Sequence, residues 1–192
     1  MMGAAARRPG PRVEAAAETA DRGPRGPLVR PVRPEEWEEA GRATRAGFVA
    51  LVGEDDRDYL DLVADVAGRC DRTTVLVAVA DDGRILGSVT VELTGKVNPE
   101  RELEPGEAHL RMLGVAPEAQ GRGVGRALVE AAAALARSAG KSRLTLGTRP
   151  EMVAARRLYD RVGFRAGPPA EWAPGHGYLT YELDLEAGPA GI

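Results

Sequence analysis

The pattern of apolar and polar residues along the chain predicts a mixed α/β domain that begins near residue 28. Apolar positions recur at helical spacing after Pro34, from about Asp56 to Val66, after the glycine-rich segment 120–125 and over 155–162. Valine-rich runs or alternating patterns predict the strands 28–33, 73–80, 85–93, 107–115, 143–147, a short one from Phe164, and 178–185. The predicted order is β-α-α-β-β-β-α-β-α-β-β.

Turn and cap signals separate these segments. Asp81-Asp82-Gly83-Arg84 supplies the glycine that a tight hairpin needs, and the polar stretch 94–106 is predicted to be a connection. Thr148-Arg149-Pro150-Glu151 resembles a capping box and predicts the start of a helix. In the helix after the glycine segment, the apolar stripe is predicted at Val124, Leu128, Ala131 and Leu135.

Composition divides the chain into one domain with a tail at each end. Residues 1–27 are rich in Ala, Arg, Gly and Pro, with almost no large apolar side chain. Burial therefore cannot offset their ordering entropy, which predicts a disordered tail. The domain is predicted over 28–187, and residues 188–192 form a short C-terminal tail.

Charge and residue counts exclude several classes of protein. A single cysteine, Cys70, and two histidines provide neither a disulfide nor an evident metal site. The sequence has no signal peptide and no apolar run of membrane-spanning length, which predicts a cytoplasmic protein without a membrane partner. The net charge of −3 and the 4% aromatic content predict that nucleic acid is not a partner.

The segment Gln120-Gly121-Arg122-Gly123-Val124-Gly125 follows a predicted strand and opens a helix. A helix N-terminus offers unpaired amides and a favourable dipole to an anion, and glycine lets a phosphate approach the backbone. A Walker A loop is excluded because neither Lys nor Ser/Thr follows Gly125. A dinucleotide-binding fingerprint read from Gly121 is excluded because its last glycine position holds Arg126.

The remaining pattern is Gln-x-x-Gly-x-Gly, satisfied by Gln120, Gly123 and Gly125. The whole stretch 113–128, LGVAPEAQGRGVGRAL, closely resembles the acyl-CoA-binding motif of the GNAT superfamily of N-acyltransferases. About three dozen residues later, 157–164, RLYDRVGF, is similar to the second hallmark of that family. The resemblance covers about residues 28–185.

The resemblance implies a single GNAT-like domain of the α/β (α+β) class. Its sheet would be mixed but mostly antiparallel, with about six or seven strands and about four flanking helices. Acetyl-CoA would be the acyl donor, with strand 107–115 splayed from its neighbour to receive the pantetheine arm. The residues implied in cofactor binding are Leu113, Gly114, Val115, Gln120, Gly121, Arg122, Gly123, Val124, Gly125 and Arg126.

Three residues are candidates for the chemistry. Tyr159 stands where the family commonly keeps a tyrosine acid, and a phenol of pKa ~10 is protonated at neutral pH; the alternative is a packed aromatic. Many relatives place a glutamate base on the strand before the glycine loop, where this chain has His109, with Glu107 two residues earlier. Either side chain is a candidate base, and the alternatives are a hydrogen-bonded histidine and a solvated strand end.

The cofactor site departs from the family pattern at one further position. An asparagine that often contacts the pantetheine arm is replaced here by Met152. Neighbouring Arg156 is either a substitute phosphate contact or an exposed helical arginine.

The family's acceptor pocket would involve the loops 53–58, 94–106 and 168–177. Glu54, Asp55 and Asp56 either attract a cationic amine or cap a helix. Trp172 and His176 either line the pocket or anchor their loop. No residue is predicted to bind a metal.

The predicted function is transfer of an acetyl group from acetyl-CoA directly to a primary amine of a small molecule or peptide. No covalent nucleophile is needed for this reaction. The alternative is a non-catalytic acyl-CoA-binding module that has lost its base. A homodimer is compatible with the sequence.

Overall fold

A seven-stranded sheet forms the centre of the computed structural model, which describes residues 26–54, 56–98, 101–168 and 177–186. The sheet order is β1-β2-β3-β6-β7-β9-β8, and all neighbours are antiparallel except β6 and β7. The strands are β1 (Leu28–Pro31), β2 (Thr74–Val79), β3 (Ile85–Glu92), β4 (Lys96–Asn98), β5 (Arg101–Glu102), β6 (Glu107–Val115), β7 (Arg143–Thr148), β8 (Arg165–Ala166) and β9 (Leu179–Asp184). The predicted mixed, mostly antiparallel sheet is confirmed.

Five helices accompany the sheet in the described part of the chain, one more than predicted. They are α1 (Trp37–Val52), α2 (Arg57–Ala64), α3 (Val66–Cys70), α4 (Val124–Ser138) and α5 (Val153–Val162). The additional helix arises because the predicted segment 56–66 is interrupted at Asp65. That carboxylate accepts a hydrogen bond from the Gly68 amide and so caps a separate helix α3.

The core lies on both faces of the sheet. Consecutive residues of β2 and β3 are buried, which requires cover on each side of these central strands. Helices α1 and α4 both contact β3 and β6. The buried face of α4 is rotated from the predicted stripe, because Ala131 and Leu135 are half-buried while the fully covered residues are Val124, Leu128, Val129, Ala132, Ala133 and Ala136.

Two local predictions are wrong. The connection 94–106 contains the two-stranded hairpin β4–β5. The capping box at 148–151 is absent, because Thr148 ends β7 and α5 begins only after Met152, with no side-chain cap. The proline and glutamate lie in the intervening turn, so the β7–α5 connection is longer than the sequence pattern indicates.

The predicted tails lie almost entirely outside the described residues. Of residues 1–27 only Gly26 and Pro27 are described, and residues 188–192 are not. Within the described ranges, no helix combines the length and apolarity needed to cross a bilayer.

Candidate active site

The site begins where β6 and β7 stop pairing. Their parallel register joins Glu107 to Arg143 at one end and Leu110 to Leu146 at the other. Beyond that point the two strands continue, to Val115 and Thr148, without pairing to each other. The predicted splay of β6 from its neighbour is therefore present, and it leaves a wedge with unpaired backbone groups on each side.

A β-bulge in β6 lies beside this wedge. Between the pairs Ser88–Gly114 and Thr90–Arg111, β6 has one more residue than β3, and Met112 has a φ of 53°. The bulge breaks the predicted alternation 107, 109, 111, 113, 115. Beyond the bulge, the Val115 side chain contacts the position of Gly125 in α4.

Arg69 stabilises the bulge through hydrogen bonds from its guanidinium. This arginine is 5% exposed, and its guanidinium donates to the Thr90 hydroxyl at 2.9 Å, the Met112 sulfur at 3.3 Å and the Val63 carbonyl at 2.8 Å. Burial lowers the pKa of Arg69 to about 10. The Met112 side chain packs in an apolar cluster with Phe48, Leu60 and Val63.

The predicted glycine loop connects β6 to α4. Gly121 and Gly123 have φ values of 73° and 80°, a conformation that disfavours other residues. Gln120 closes the loop by donating from Nε2 to the Val115 carbonyl at 3.1 Å. No side chain caps α4 and no acidic residue lies in its first turn, so its first amides are available to an anion.

The third glycine of the loop has a packing role. A Cβ at Gly125 would lie 3.2 Å from Leu158 Cδ2, so glycine allows α5 to approach α4 closely. Of the two predicted phosphate ligands, Arg122 is exposed and Arg126 bonds Glu130 at 2.7 Å through Nε. The loop thus combines an uncapped helix terminus with local positive charge.

Tyr159 reaches the wedge from α5. It is 5% exposed, its ring contacts Phe164 and Tyr181, and its hydroxyl makes no hydrogen bond to a described residue. Burial raises the pKa of Tyr159 well above its usual value. The side chain is therefore a packed aromatic with a protonated hydroxyl available in the site.

A cavity of about 200 Å³ lies between the wedge and helices α1 and α2. Residues from α1, α2, β6, β7 and α5 form its walls, and most are apolar or aromatic. The lining residues are Phe48, Leu51, Tyr59, Leu62, Val97, His109, Leu110, Arg111, Met112, Leu113, Gly147, Thr148, Arg149, Met152, Ala155, Tyr159 and Tyr178.

The two candidate bases belong to one buried network. His109 and Thr145 are register partners, and His109 Nδ1 lies 2.9 Å from Thr145 Oγ1. Thr145 donates to Glu107 Oε1 at 2.6 Å, and the Glu104 amide donates to Glu107 Oε2 at 3.0 Å. Arg101 also donates to the Glu107 carboxylate and lies 3.4 Å from His109 Nδ1.

This network assigns the histidine tautomer. Because an ionised carboxylate only accepts, the Thr145 hydroxyl gives its proton to Glu107 and accepts from His109 Nδ1–H, and the 3.4 Å contact of Arg101 with Nδ1 is then a contact between two donors and not a hydrogen bond. The lone pair of His109 is then on Nε2, which makes no hydrogen bond to a described residue. Burial and then the Arg101 charge lower the pKa of His109 to about 3, so the ring is neutral.

Glu107 differs from His109 in its access. It is 1% exposed and does not line this cavity, which His109 lines, but both side chains border a second cavity on the side of Arg101 and Arg143. Burial acts to raise the pKa of Glu107, but hydrogen bonds from Thr145, the Glu104 backbone and Arg101 outweigh burial, so the net pKa is lowered. Of the two candidates, His109 is the one that lines the cavity beside Tyr159.

The remaining sequence candidates are placed as follows. Glu54 is exposed and does not line the cavity, and Asp56 caps α2 by accepting from the Tyr59 amide at 3.1 Å. Met152 lines the cavity. Arg156 contacts the Tyr181 hydroxyl at 3.4 Å and the Pro150 carbonyl at 3.2 Å. Three predicted substrate residues lie outside the described residues: Asp55, Trp172 and His176.

Sequence reasoning missed four polar residues of the site: Arg69, Arg101, Thr145 and Arg149. Arg149 belongs only to the predicted capping box, the other three belong to no motif, and sheet register or loop folding brings each residue to the site. Arg101 lies within the predicted connection 94–106, and no local pattern there indicates its pairing with Glu107.

Comparison with known proteins agrees with this geometry. Residues 32–164 match the model of the acetyltransferase (GNAT) family. That match spans more than half of the sequence, and the chain belongs to the GNAT family.

Curated relatives include two mycothiol acetyltransferases. The one from Cellulomonas flavigena is 36% identical over 121 residues, which are 56% of this chain and 34% of the relative. The one from Pseudarthrobacter chlorophenolicus is 36% identical over 106 residues, 53% of this chain and 32% of the relative. The chain thus spans about a third of the length of these relatives.

Solved structures show the same fold at low sequence identity. A putative GNAT acetyltransferase from Desulfovibrio desulfuricans has a TM-score of 0.62 and 24% identity, covering 82% of this chain and 98% of its own. A Brucella melitensis GNAT acetyltransferase in complex with acetyl-CoA has a TM-score of 0.58 and 24% identity, covering 83% and 88%. The PaiA N-acetyltransferase of Thermoplasma acidophilum, in complex with coenzyme A, has a TM-score of 0.64 and 16% identity, covering 81% and 97%.

Proposed function

We propose that this protein transfers an acetyl group from acetyl-CoA directly to a primary amine. The observation that carries the proposal is the wedge between β6 and β7, which joins the glycine loop on one side to the cavity on the other. The family relatives support the same reaction class, and the acetyl-CoA and coenzyme A complexes of Brucella and Thermoplasma support the donor.

The donor site is assigned to the glycine loop and the adjoining end of β6. The uncapped first turn of α4 and the positive-φ glycines Gly121 and Gly123 suit a pyrophosphate, with Arg122 and Arg126 adding charge. The segment Leu113 to Val115 pairs with β3 but has no strand partner on its β7 side, and that free side suits the amide groups of a pantetheine arm. When bound there, the thioester supplies an electrophilic carbonyl at the mouth of the cavity.

His109 is the proposed base. A primary amine in the cavity attacks the carbonyl carbon, and its N–H becomes acidic as the N–C bond forms. Nε2 of the neutral His109 accepts that proton, and Thr145 and Glu107 stabilise the imidazolium through Nδ1. The acceptor therefore has to enter the cavity as the free amine.

Tyr159 is proposed to stabilise the departing sulfur. The C–S bond breaks as the new amide forms, and the thiolate needs a donor. Because the raised pKa of Tyr159 makes complete transfer of its proton to a thiolate unfavourable, we assign its hydroxyl as a hydrogen-bond donor to that sulfur. The products are an N-acetylated amine and the thiolate of coenzyme A, which takes a proton from water to become the free thiol, while the His109 imidazolium returns its proton to water.

The test combines binding with turnover. Titration calorimetry measures acetyl-CoA binding, and a thiol-release assay follows the reaction over a panel of primary amines. Saturable binding with amine-stimulated thiol release is the expected result. Binding without stimulation by any amine would instead identify a non-catalytic acyl-CoA-binding module.

A further inference from the structure

The charged side chains of the described residues that line the cavity are positive. Of the described lining residues, only Arg111 and Arg149 carry a charge at neutral pH, since His109 is neutral. No described carboxylate lines the cavity, although the sequence places acidic residues at 54–56. This distribution is the opposite of what attraction of a cationic acceptor requires.

Arg111 has its charge compensated within the protein. Its Nε lies 2.7 Å from Oε1 of Glu92, which is 1% exposed, and its Nη1 donates to the Val97 carbonyl at 3.0 Å. The Nε–Oε1 contact lacks the angle of a hydrogen bond, so it is a close ion pair. Arg111 therefore links β6 to the β4–β5 hairpin, and its charge adds little to the electrostatic potential of the cavity because Glu92 lies beside it.

Arg149 is different. It lies in the turn after the unpaired end of β7, is half-buried, and forms no ion pair with a described carboxylate. A hydrogen bond with Tyr178 raises the pKa of Arg149, and Glu151 and Tyr59 act on it more weakly. The guanidinium is thus held by a tyrosine, at the edge of a wall that includes the apolar side chains of Leu51 and Leu62.

Among the described residues Arg149 has no ion-pair partner, and a half-buried cation is stabilised by a ligand that supplies a negative charge. A planar guanidinium matches the two oxygens of a carboxylate in a bidentate pair. We propose that the acceptor is a primary amine of amino-acid size whose carboxylate pairs with Arg149. This inference rests on the proposed function, because it assigns the acceptor of that reaction.

The size of the cavity supports the same class. Its volume is about 200 Å³, compared with the ~150 Å³ of an engineered cavity that accepts benzene. A free amino acid with a side chain against Phe48 and Tyr59 suits that space. Tyr59 and Phe48 pack edge to face at 5.7 Å, which gives this wall a defined shape.

The experiment compares matched acceptors in the thiol-release assay at saturating acetyl-CoA. The panel contains the twenty amino acids, their carboxamides and the corresponding decarboxylated amines. The carboxamide has the size and the primary amine of the amino acid but lacks its negative charge. It also mimics the first residue of a peptide. We expect kcat/KM for the best amino acid to exceed that of its carboxamide by about tenfold or more.

Variants at Arg149 test whether this residue causes the preference for an acceptor with a carboxylate. Arg149→Gln is expected to lower kcat/KM for the amino acid by about tenfold or more and to change that for the carboxamide less than about twofold. For the amino acid, kcat/KM of Arg149→Lys is expected to lie between those of wild type and Arg149→Gln, because lysine keeps the charge but cannot bind a carboxylate through two parallel N–H groups. The matched control is Arg161→Gln, an exposed arginine in the last turn of α5.

The outcomes separate this inference from the proposed function. Equal turnover of acids, carboxamides and decarboxylated amines would overturn the carboxylate assignment while leaving the acetyltransferase intact. Equal losses for acid and carboxamide in Arg149→Gln would overturn the role of Arg149. The absence of thiol release with every amine would instead contradict the proposed function, and with it this inference.

Discussion

His109 is surrounded by charged and polar groups from four strands. Arg101 on β5, Glu92 on β3, Glu107 and Arg111 on β6 and Thr145 on β7 all face it or its immediate partners. The ring stays neutral because burial and the Arg101 charge disfavour the cation more than Glu107 favours it. A histidine in this setting accepts a proton only when the donor has become strongly acidic.

Titration of His109 tests that description. The NMR signal of its Cε1 proton, followed in a His176→Gln background that leaves a single histidine, should not titrate between about pH 5 and pH 8. Removing the guanidinium in Arg101→Met takes away a positive charge and should raise the pKa. An ordinary titration near about pH 6.5 in the parent would contradict the buried, neutral ring.

Tyr159→Phe tests the donor to the departing sulfur. Loss of one preorganised donor to developing negative charge lowers kcat by roughly 10²-fold. Acetyl-CoA affinity and stability should change little, because the hydroxyl has no described partner. The control is Tyr181→Phe, whose ring packs against Tyr159 at 5.8 Å; a similar loss in that variant would point to packing rather than chemistry.

At the scale of elements, helix α1 packs so closely on strand β6 that their backbones are in contact at two glycines. A Cβ at Gly47 would lie 2.5 Å from the Val115 carbonyl oxygen, and one at Gly114 would lie 2.6 Å from the Thr44 carbonyl oxygen. The adjacent hydroxyls of Thr44 and Ser88 are 2.6 Å apart and buried. Helix α1 therefore sets the position of the β6 segment assigned to the donor.

Gly47→Ala is expected to be destabilising despite its helical location. Alanine normally stabilises a helix interior by about 1 kcal/mol relative to glycine, but here its methyl group would overlap backbone atoms that cannot rotate away. The net loss in the free energy of unfolding should be about 1–3 kcal/mol in urea denaturation. Gly26→Ala, which meets open space, is the control, and a stabilised Gly47→Ala would refute the close contact.

Elements with a local signal were predicted, whereas features set by pairing were not. The glycine loop and the tyrosine helix have sequence patterns that identify them before any fold is known. The bulge at Met112 has none, because it results from the register of β6 against β3. The helix break at Asp65 had a signal, a capping aspartate, that the continuous apolar pattern obscured.

The same distinction applies to the site as a whole. The sequence left Glu107 and His109 as equal candidates, and only sheet register showed that Thr145 joins them and that one of the two lines the cavity. The acidic residues at 54–56 were open to two interpretations, and of the described ones Asp56 caps α2 while Glu54 does not line the cavity. Charge near a loop in sequence does not determine the charge of a pocket that several elements form.

At the scale of the whole molecule, His109 makes stability depend on pH. Its pKa in the fold is about 3, below the ordinary value of about 6.5, so the unfolded chain binds more protons between these values. Stability should therefore fall as the pH falls through this window, by about 1.4 kcal/mol per unit at most.

Urea denaturation at about pH 6.5 and pH 4.5 measures that dependence. Wild type should lose about 2–3 kcal/mol more than His109→Gln over the interval. The lowered pKa of Glu107 adds a loss of the same sign, mostly below this interval, and the raised pKa of Glu92 acts in the opposite direction. Identical pH dependence in the two proteins would show that His109 is protonated normally in the fold.

The wedge between β6 and β7 also affects how the protein avoids association with other chains. Because pairing ends at Leu110 and Leu146, the sheet has two strand edges in its interior in addition to those at its borders. Exposed edges invite pairing with foreign strands. The bulge and positive φ at Met112 make the β6 edge irregular, which is a common protection of natural edges. The distortion of β6 beside the wedge thus also disfavours pairing of this edge with another polypeptide.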